Sequence, residues 1–184
     1  MSIKGLEQAI ANLNSISKKA VPRASAQTVN RIATQAVNRS VSTVAKSTRV
    51  PRKLVRQRAR VRRATVAKPR ALIRINRGNL PAIKLGPSSM RLSRRKRDKS
   101  GTNSELRVGR FRFPGAFIQQ LANGRWHVLR RTTKSRYPIE VVSIPLAIPL
   151  TETFRDEVPK LMDERMPQIM RQNLSNQLRL ILKR

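Results

Sequence analysis

A long stretch without acidic residues constrains this chain more than any other feature. Residues 8–97 contain no Asp or Glu, although Lys and Arg are frequent throughout them. Basic side chains in such a stretch have no neighbouring carboxylate in the sequence, so they stay solvated or meet an anion supplied by a partner. Any fold of this chain must therefore present a strongly basic surface.

The composition of the whole chain extends this argument. The 184 residues include 41 Lys and Arg against 9 Asp and Glu, which gives a formal net charge of +32. Self-repulsion at this charge destabilises an isolated compact monomer, so a polyanion or an acidic protein surface is the expected partner. Only 39% of residues are apolar and 3% aromatic, which predicts a small aliphatic core. We therefore expect a binding or structural protein and not an enzyme.

Several kinds of site are excluded by residue counts. The chain has no cysteine and one histidine, His127, so disulfides, zinc ribbons and multi-histidine metal sites are ruled out. No acid and nucleophile stand at a recognisable spacing from His127, and we expect no catalytic residues, metal or cofactor. The N-terminus lacks the pattern of a secretory signal, and no apolar run approaches the ~20 residues of a membrane span. We expect the protein to remain in the cytoplasm unless a particle carries it out.

Apolar periodicity predicts helices at the beginning of the chain. A first helix has apolar residues at steps of three and four, at Ile3, Leu6, Ile10, Leu13 and Ile16. Val21-Pro22 predicts a break, because proline is tolerated in the first turn of a helix and not in its interior. A second helix is expected from Pro22 to about Lys46, and residues 51–58 form a weaker helical pattern. The inner face of the second helix is predicted to hold Val29, Ala33, Ala36 or Val37, Ser40 and Val44.

The central part of the chain changes to a period of two, which is typical of strands. Residues 71–75 and 80–85 flank the turn signal Asn76-Arg77-Gly78-Asn79 and predict a β-hairpin. A second hairpin is predicted around Asn123-Gly124, the strongest short-range hairpin signal in the chain. Single strands are expected at 106–113 and 139–144.

The helical period returns after Pro149, where Pro159 and Pro167 predict two or three helical pieces. The fold class is therefore α+β, with N-terminal helices, a central antiparallel β meander with a long basic loop, and C-terminal helices. We expect one domain over residues 1–184. Its parts are a helical segment at 1–46, a β-rich basic body at 60–148 with a mobile loop at about 87–104, and C-terminal helices at 149–184.

The densest basic cluster is the first candidate site. Closely spaced cations replace the counterions of a phosphate backbone, so the cluster predicts binding of DNA or another polyanion. A solvated loop, or a loop that binds an acidic protein, remains an alternative. The aromatic residues are not interleaved with it, so we expect phosphate contact without base reading. The cluster comprises Arg91, Arg94, Arg95, Lys96, Arg97 and Lys99.

Candidate assembly residues lie elsewhere. Phe117 and Trp126 are expected in a core or an interface. Leu178 and Ile181 belong to a basic amphipathic helix over residues 168–184. Such a helix can lie on a membrane or enter a partner's groove. Because it lacks aromatic anchors, packing on its own domain or on an adjacent subunit is the preferred interpretation.

Two blocks of the sequence resemble the minor tail protein Z family, the tail-completion proteins of lambda-like long-tailed phages. The first block includes residues 3–7 (IKGLE), 20–22 (AVP) and 30–33 (NRIA). The second, more specific block includes 114–121 (PGAFIQQL), 123–128 (NGRWHV), Arg131, 137–139 (YPI) and 144–145 (IP). The resemblance covers nearly the whole chain, and the loop at 87–104 is its least matched part.

The resemblance implies a structural virion protein that acts late in tail assembly at the head-proximal end of the tail. It also implies as partners the tail tube or terminator, the tape-measure protein and, non-specifically, the phage DNA end. A homo-oligomer in the particle is expected, with the host cytoplasm as the place of assembly. The alternative from another class is a free, non-sequence-specific nucleic-acid-binding protein, chromatin-like or ribosomal in style.

Overall fold

The computed structural model describes residues 3–91, 104–133 and 137–182 and confirms the α+β class. The chain divides into two compact units. One combines residues 1–76 with residues 149–184, and the other consists of residues 77–148. Most helical residues belong to the first unit and most strands to the second.

The N-terminal helices of the first unit follow one another without a break. Helix α1 spans Ile3–Ser15, a π-helical turn spans Ile16–Ala20, and helix α2 spans Val21–Thr48. The predicted interruption at Pro22 is therefore wrong. The Val21 N–H donates to the carbonyl of Ile16, five residues earlier. This wider turn spaces the carbonyls ahead of Pro22, which is how a helix accommodates a proline ring.

The inner face of α2 agrees with the sequence. Val29 is half-buried, and the other predicted positions are buried together with Val41. These side chains are small, so neighbouring elements approach α2 closely. The buried positions that had been predicted are Ala33, Ala36, Val37, Ser40 and Val44.

A single C-terminal helix, α4, spans Ala147–Leu182, so the predicted division into two or three pieces is wrong. Pro159 and Pro167 lie inside the helix and are exposed. The carbonyls that lose a donor belong to Arg155 and Asp163, which are also exposed. Water can satisfy these carbonyls, and this lowers the cost of an interior proline.

Helices α2 and α4 run in opposite directions against each other. The amide of Asn173 donates to the hydroxyl of the fully buried Thr28 at 2.9 Å. Farther along α2, Arg39 forms an ion pair with Glu157 at 3.9 Å. The order of these contacts makes the pairing antiparallel.

A short helix and a two-stranded sheet complete the first unit. Helix α3 spans Arg52–Arg56, as the weaker helical pattern predicted. Strand β1, Ala59–Arg62, pairs antiparallel with β2, Leu72–Ile75. The predicted hairpin of residues 71–75 with 80–85 is therefore wrong, because β2 pairs with the strand that precedes it. We call the β1–β2 pair the ribbon.

The described residues of the second unit form three small antiparallel sheets. Their strand orders are β10-β3, β4-β5-β6 and β7-β8-β9. Residues Ala82–Leu85 form a 3-10 turn after β3. The strands are β3 Leu80–Pro81, β4 Ser88–Arg91, β5 Glu105–Val108, β6 Phe111–Pro114, β7 Ala116–Gln120, β8 Trp126–Arg131, β9 Ile139–Val141 and β10 Ser143–Ile144.

The hairpin around Asn123-Gly124 is confirmed, with Gln120 opposite Trp126 at its last pair. The single strand predicted at 106–113 is instead the hairpin β5–β6, which turns at Gly109. Gly109 has a φ of 57°, and a Cβ there would lie 2.6 Å from the carbonyl oxygen of Leu85. Only glycine fits this turn without displacing backbone.

The strand predicted at 139–144 is divided at Val142. The N–H of Val142 donates to the carbonyl of Val128, and the carbonyl of Val142 accepts from the N–H of Ala82. Val142 thus connects β9, which pairs with β8, to β10, which pairs with β3. A period of two marks an extended chain but does not say which neighbour each half pairs with.

Candidate polyanion interface

Only one member of the predicted basic cluster belongs to the part of the chain that the structure describes. Arg91 is the last residue of β4 and lies opposite Glu105 of β5. Arg94, Arg95, Lys96, Arg97 and Lys99 lie outside the described residues. The cluster therefore stays a sequence-based prediction.

The face of the β4-β5-β6 sheet that carries Arg91 is of mixed charge. Glu105, Arg107 and Arg112 share this face by the alternation of the strands. Arg112 forms an ion pair with Glu105 at 3.8 Å. This sheet therefore offsets part of its basic charge internally.

The ribbon presents a face of different character. Its inner face is apolar and consists of Ala59, Val61, Ile73 and Ile75, which are buried or half-buried. Its outer face is exposed throughout and consists of Arg60, Arg62, Leu72 and Arg74. Alternating burial explains both faces, because successive strand residues point to opposite sides. We call Arg60, Arg62 and Arg74 the arginine face.

The register of the ribbon places two of these arginines opposite each other. Arg60 lies directly across from Arg74, where like charges destabilise the pairing of the strands. The ion pairs in the described ranges join Glu105, Glu140 and Glu157 to other arginines, and none involves Arg60, Arg62 or Arg74. The arginine face therefore has no ion-pair partner among the described carboxylates.

Hydrogen bonds fix the ribbon to the helical part of its unit. The Asn30 amide donates to the carbonyl of Ala64 at 2.9 Å, and its oxygen accepts from the N–H of Ala64 at 2.7 Å. At the other end, the N–H of Asn76 donates to the carbonyl of Arg58 at 2.8 Å, which extends the β1–β2 ladder itself. The Asn30 bonds hold the loop end of the ribbon to α2, so the arginine face has a defined position on this helix.

The predicted assembly residues occupy different surroundings. Trp126 is 57% exposed at the start of β8, so it is not a core residue. Phe117 is half-buried on the opposite face of the same hairpin, and the Arg131 guanidinium lies 5.6 Å from its ring centre. In the first unit, Leu178 and Ile181 are half-buried on α4, and Ile181 lines a groove that α4 forms with α1 and α2.

The lone histidine forms no part of a recognisable catalytic arrangement. His127 is half-buried on β8, and within the described ranges its Nδ1 has no hydrogen-bond partner. No group of three or more His, Asp or Glu residues comes together among residues that the structure describes. The helices in those ranges are also too short or too polar to cross a membrane.

The arginine face and Asn30 were missed by reasoning from the sequence. The alternating pattern Arg60-Val61-Arg62 was a signal that could have indicated a basic outer face. The opposition of Arg60 and Arg74 depends on the register of two strands, which the sequence pattern did not provide. Asn30 carried no signal, because its role depends on a contact with Ala64 across the fold.

Fold and charge together define a strongly basic α+β protein, with an arginine face that has no acidic partner among the residues that the structure describes. Residues 3–184 match the family described as prophage minor tail protein Z (GPZ), and the chain belongs to this family. The chain is 76% identical to the tail completion protein of Escherichia phage N15, with both chains covered completely. It is 53% identical to tail completion protein Z of Escherichia phage lambda, again over both full lengths. No solved structure matches the chain.

Membership of this family supports a role in phage tail assembly. The resemblance recognised from the sequence is thereby confirmed.

Proposed function

We propose that this chain is a structural virion protein that completes the head-proximal end of the phage tail late in tail assembly. The observation that carries the proposal is the full-length match to two tail completion proteins, at 76% and 53% identity. Identity at this level over complete chains preserves the fold, so the same task in the particle is the simplest inference.

The partners in this proposal are other tail proteins, namely the tail tube or terminator and the tape-measure protein. Several apolar side chains remain exposed on the single chain and supply contact area for such neighbours or for further copies of the chain. Ile10 and Leu13 of α1, Trp126 of β8 and Leu180 of α4 are examples, each at least half exposed. We propose that the chain acts in the particle as a homo-oligomer.

The basic surface gives the proposal its second part, which is positioning of the DNA end for joining of head and tail. Net charge of +32 on one chain favours association with a polyanion at the place where DNA leaves the head. Assembly takes place in the host cytoplasm before the chain becomes part of the tail.

A phage that lacks this gene tests the proposal. Heads and nearly complete tails should form, infectivity should fall by orders of magnitude, and the chain supplied from a plasmid should restore it. Gold-labelled antibody should mark the head-proximal end of purified tails. Normal infectivity without the gene, or label at the distal tip, would contradict the proposal.

The same lysates distinguish the alternative function. A free chromatin-like or ribosomal protein should follow nucleic acid or ribosomes on a density gradient and be absent from purified tails. A tail completion protein should follow the tails.

A further inference from the structure

We infer that the arginine face of the ribbon binds the phosphate backbone of duplex DNA without reading its sequence. The contact is separate from the basic cluster at residues 91–99 that the sequence singled out. The inference rests on the proposed function for the source of the duplex, which is the DNA end that reaches the tail.

The need for an anion follows from the strand register. Arg60 and Arg74 occupy directly opposed positions, and Arg62 lies on the same face two residues from Arg60. A stable ribbon would favour opposite charges at such a pair. The surrounding sequence supplies none, because residues 49–77 contain Arg and Lys but no acid. Bound phosphates would remove the repulsion between the two guanidinium groups.

The spacing of the arginines suits a phosphate backbone. Residues two apart on a strand are separated by about 6.6 Å. Adjacent phosphates on one strand of duplex DNA rise ~3.4 Å along the axis and, with the rotation of the helix, lie about 7 Å apart. Arg60 and Arg62 can therefore reach adjacent phosphates. A two-stranded ribbon also has the width that a DNA groove admits. Arginine suits this task because its planar guanidinium binds phosphate through two parallel hydrogen bonds.

Duplex DNA fits the face better than an acidic protein does. The centre of a protein interface is depleted in charge and enriched in aromatic anchors. The outer face of the ribbon has three arginines, and Leu72 is its apolar member. It has no aromatic ring on which the bases of a single strand could stack. These features together favour the backbone of a duplex.

The loop that joins the two strands extends the same surface. Arg63, Lys68 and Arg70 are exposed, and two hydrogen bonds close a turn between Thr65 and Lys68. Because Asn30 holds Ala64 at the beginning of this loop, the ribbon and the loop keep their position before DNA arrives. Preorganisation of this kind lowers the entropy lost on binding.

Salt-dependent binding of the purified full-length chain tests the inference. The triple variant Arg60→Gln, Arg62→Gln, Arg74→Gln is compared with wild type on a short fluorescent duplex of mixed sequence. The matched control is Arg155→Gln, Arg165→Gln, Arg171→Gln, which removes the same charge from exposed arginines of α4. Circular dichroism and thermal midpoints establish that all three proteins are folded.

Each lost phosphate contact reduces the steepness of the plot of log affinity against log salt by about 0.9. The slope of the triple variant should therefore be shallower than that of wild type by about 2.7. Between about 50 and 200 mM salt, wild-type affinity should then fall roughly 40-fold more than that of the triple variant. The control should keep the wild-type slope. Two duplexes of unrelated sequence should bind wild type equally well.

Three results would overturn the inference. The triple variant could keep the wild-type slope, the control could lose as much as the triple variant, or polyglutamate could displace the duplex at equal charge. The last result would assign the face to an acidic protein. If DNA binding by the arginine face is disproved but the gene still restores infectivity, the proposed role in tail completion stands. The two proposals can therefore fail separately.

Discussion

Two of the cross-strand arginine pairs in the described antiparallel ladders have partners of opposite charge. In the second unit, Arg130 lies across from Glu140 and binds it through two hydrogen bonds, at 2.7 and 3.2 Å. In the first unit, Arg60 lies across from Arg74. One pair supplies its own counter-charge, and the other leaves two cations facing solvent.

This difference shows that the large net charge is not one uniform property of the surface. Arginines that pair with Glu105, Glu140 or Glu157 have local partners and contribute less to binding an external anion. The arginine face lies within the acid-free part of the sequence and has no such partner among the described carboxylates. Substitutions that exchange or remove these charge pairs, or the attachment of the ribbon, should therefore have different effects.

The largest expected effect on stability comes from removing the attachment of the ribbon. Asn30→Ala leaves the N–H and carbonyl of Ala64 without their partners in a buried position, which should cost about 1–3 kcal/mol of unfolding free energy. Urea unfolding measures the loss. Asn38→Ala, at an exposed position of the same helix, should change stability by less than about 0.5 kcal/mol. Equal effects of the two variants would contradict the role given to Asn30.

Glu140→Arg makes the second pair resemble the first. It removes two hydrogen bonds to Arg130 and places like charges opposite each other, so stability should fall by about 1 kcal/mol. Urea unfolding measures the change at low salt, and part of the loss should be recovered at high salt. A loss that does not depend on salt would indicate a packing defect instead.

Arg74→Glu makes the first pair resemble the second. Relief of repulsion and a new attraction to Arg60 should raise stability by about 0.5 kcal/mol. The same substitution should weaken binding to duplex DNA, because it replaces a cation by an anion on the arginine face. In one preparation, thermal unfolding should therefore show higher stability and DNA titration should show lower affinity. A variant that is both more stable and equally tight would contradict the inference.

The smallest effect on stability is expected at an exposed ion pair in which the charged atoms are farther apart. Arg112→Gln removes the partner of Glu105 at 3.8 Å, where both side chains are partly solvated. Surface pairs of this kind contribute about 0–1 kcal/mol. The substitution also removes the like charge that Arg112 places opposite Arg107, so the change should stay near the lower end of that range. Thermal unfolding checks this value, and a loss above 1 kcal/mol would mean that the sheet depends on the pair.

Local patterns predicted those elements whose partners are close in sequence. The small inner face of α2 around Val37 and the hairpin at Asn123-Gly124 follow from periodicity and turn chemistry. Elements with distant partners were not predictable in this way. Strand β2 pairs with β1, and β3 pairs with β10, although the turn signal at 76–79 indicated a hairpin between β2 and β3.

Prolines and glycines misled the prediction for a related reason. Pro159 and Pro167 are tolerated because the carbonyls they leave free lie on the exposed side of α4, which depends on how that helix packs. Gly109 was treated as part of a strand, whereas its positive φ turns the chain. At the site, the sequence indicated basic charge but not the opposition of Arg60 and Arg74, since register decides which residues meet.

Arginine footprinting of the wild-type chain tests the central claim most directly. Phenylglyoxal modifies accessible guanidinium groups, and mass spectrometry reads each position with and without saturating duplex DNA. We expect the duplex to protect Arg60, Arg62 and Arg74. Arg130, which is paired with Glu140, and the α4 residues Arg155, Arg165 and Arg171 should react as before. Unchanged modification of the arginine face, with protection confined to the other arginines, would contradict this claim.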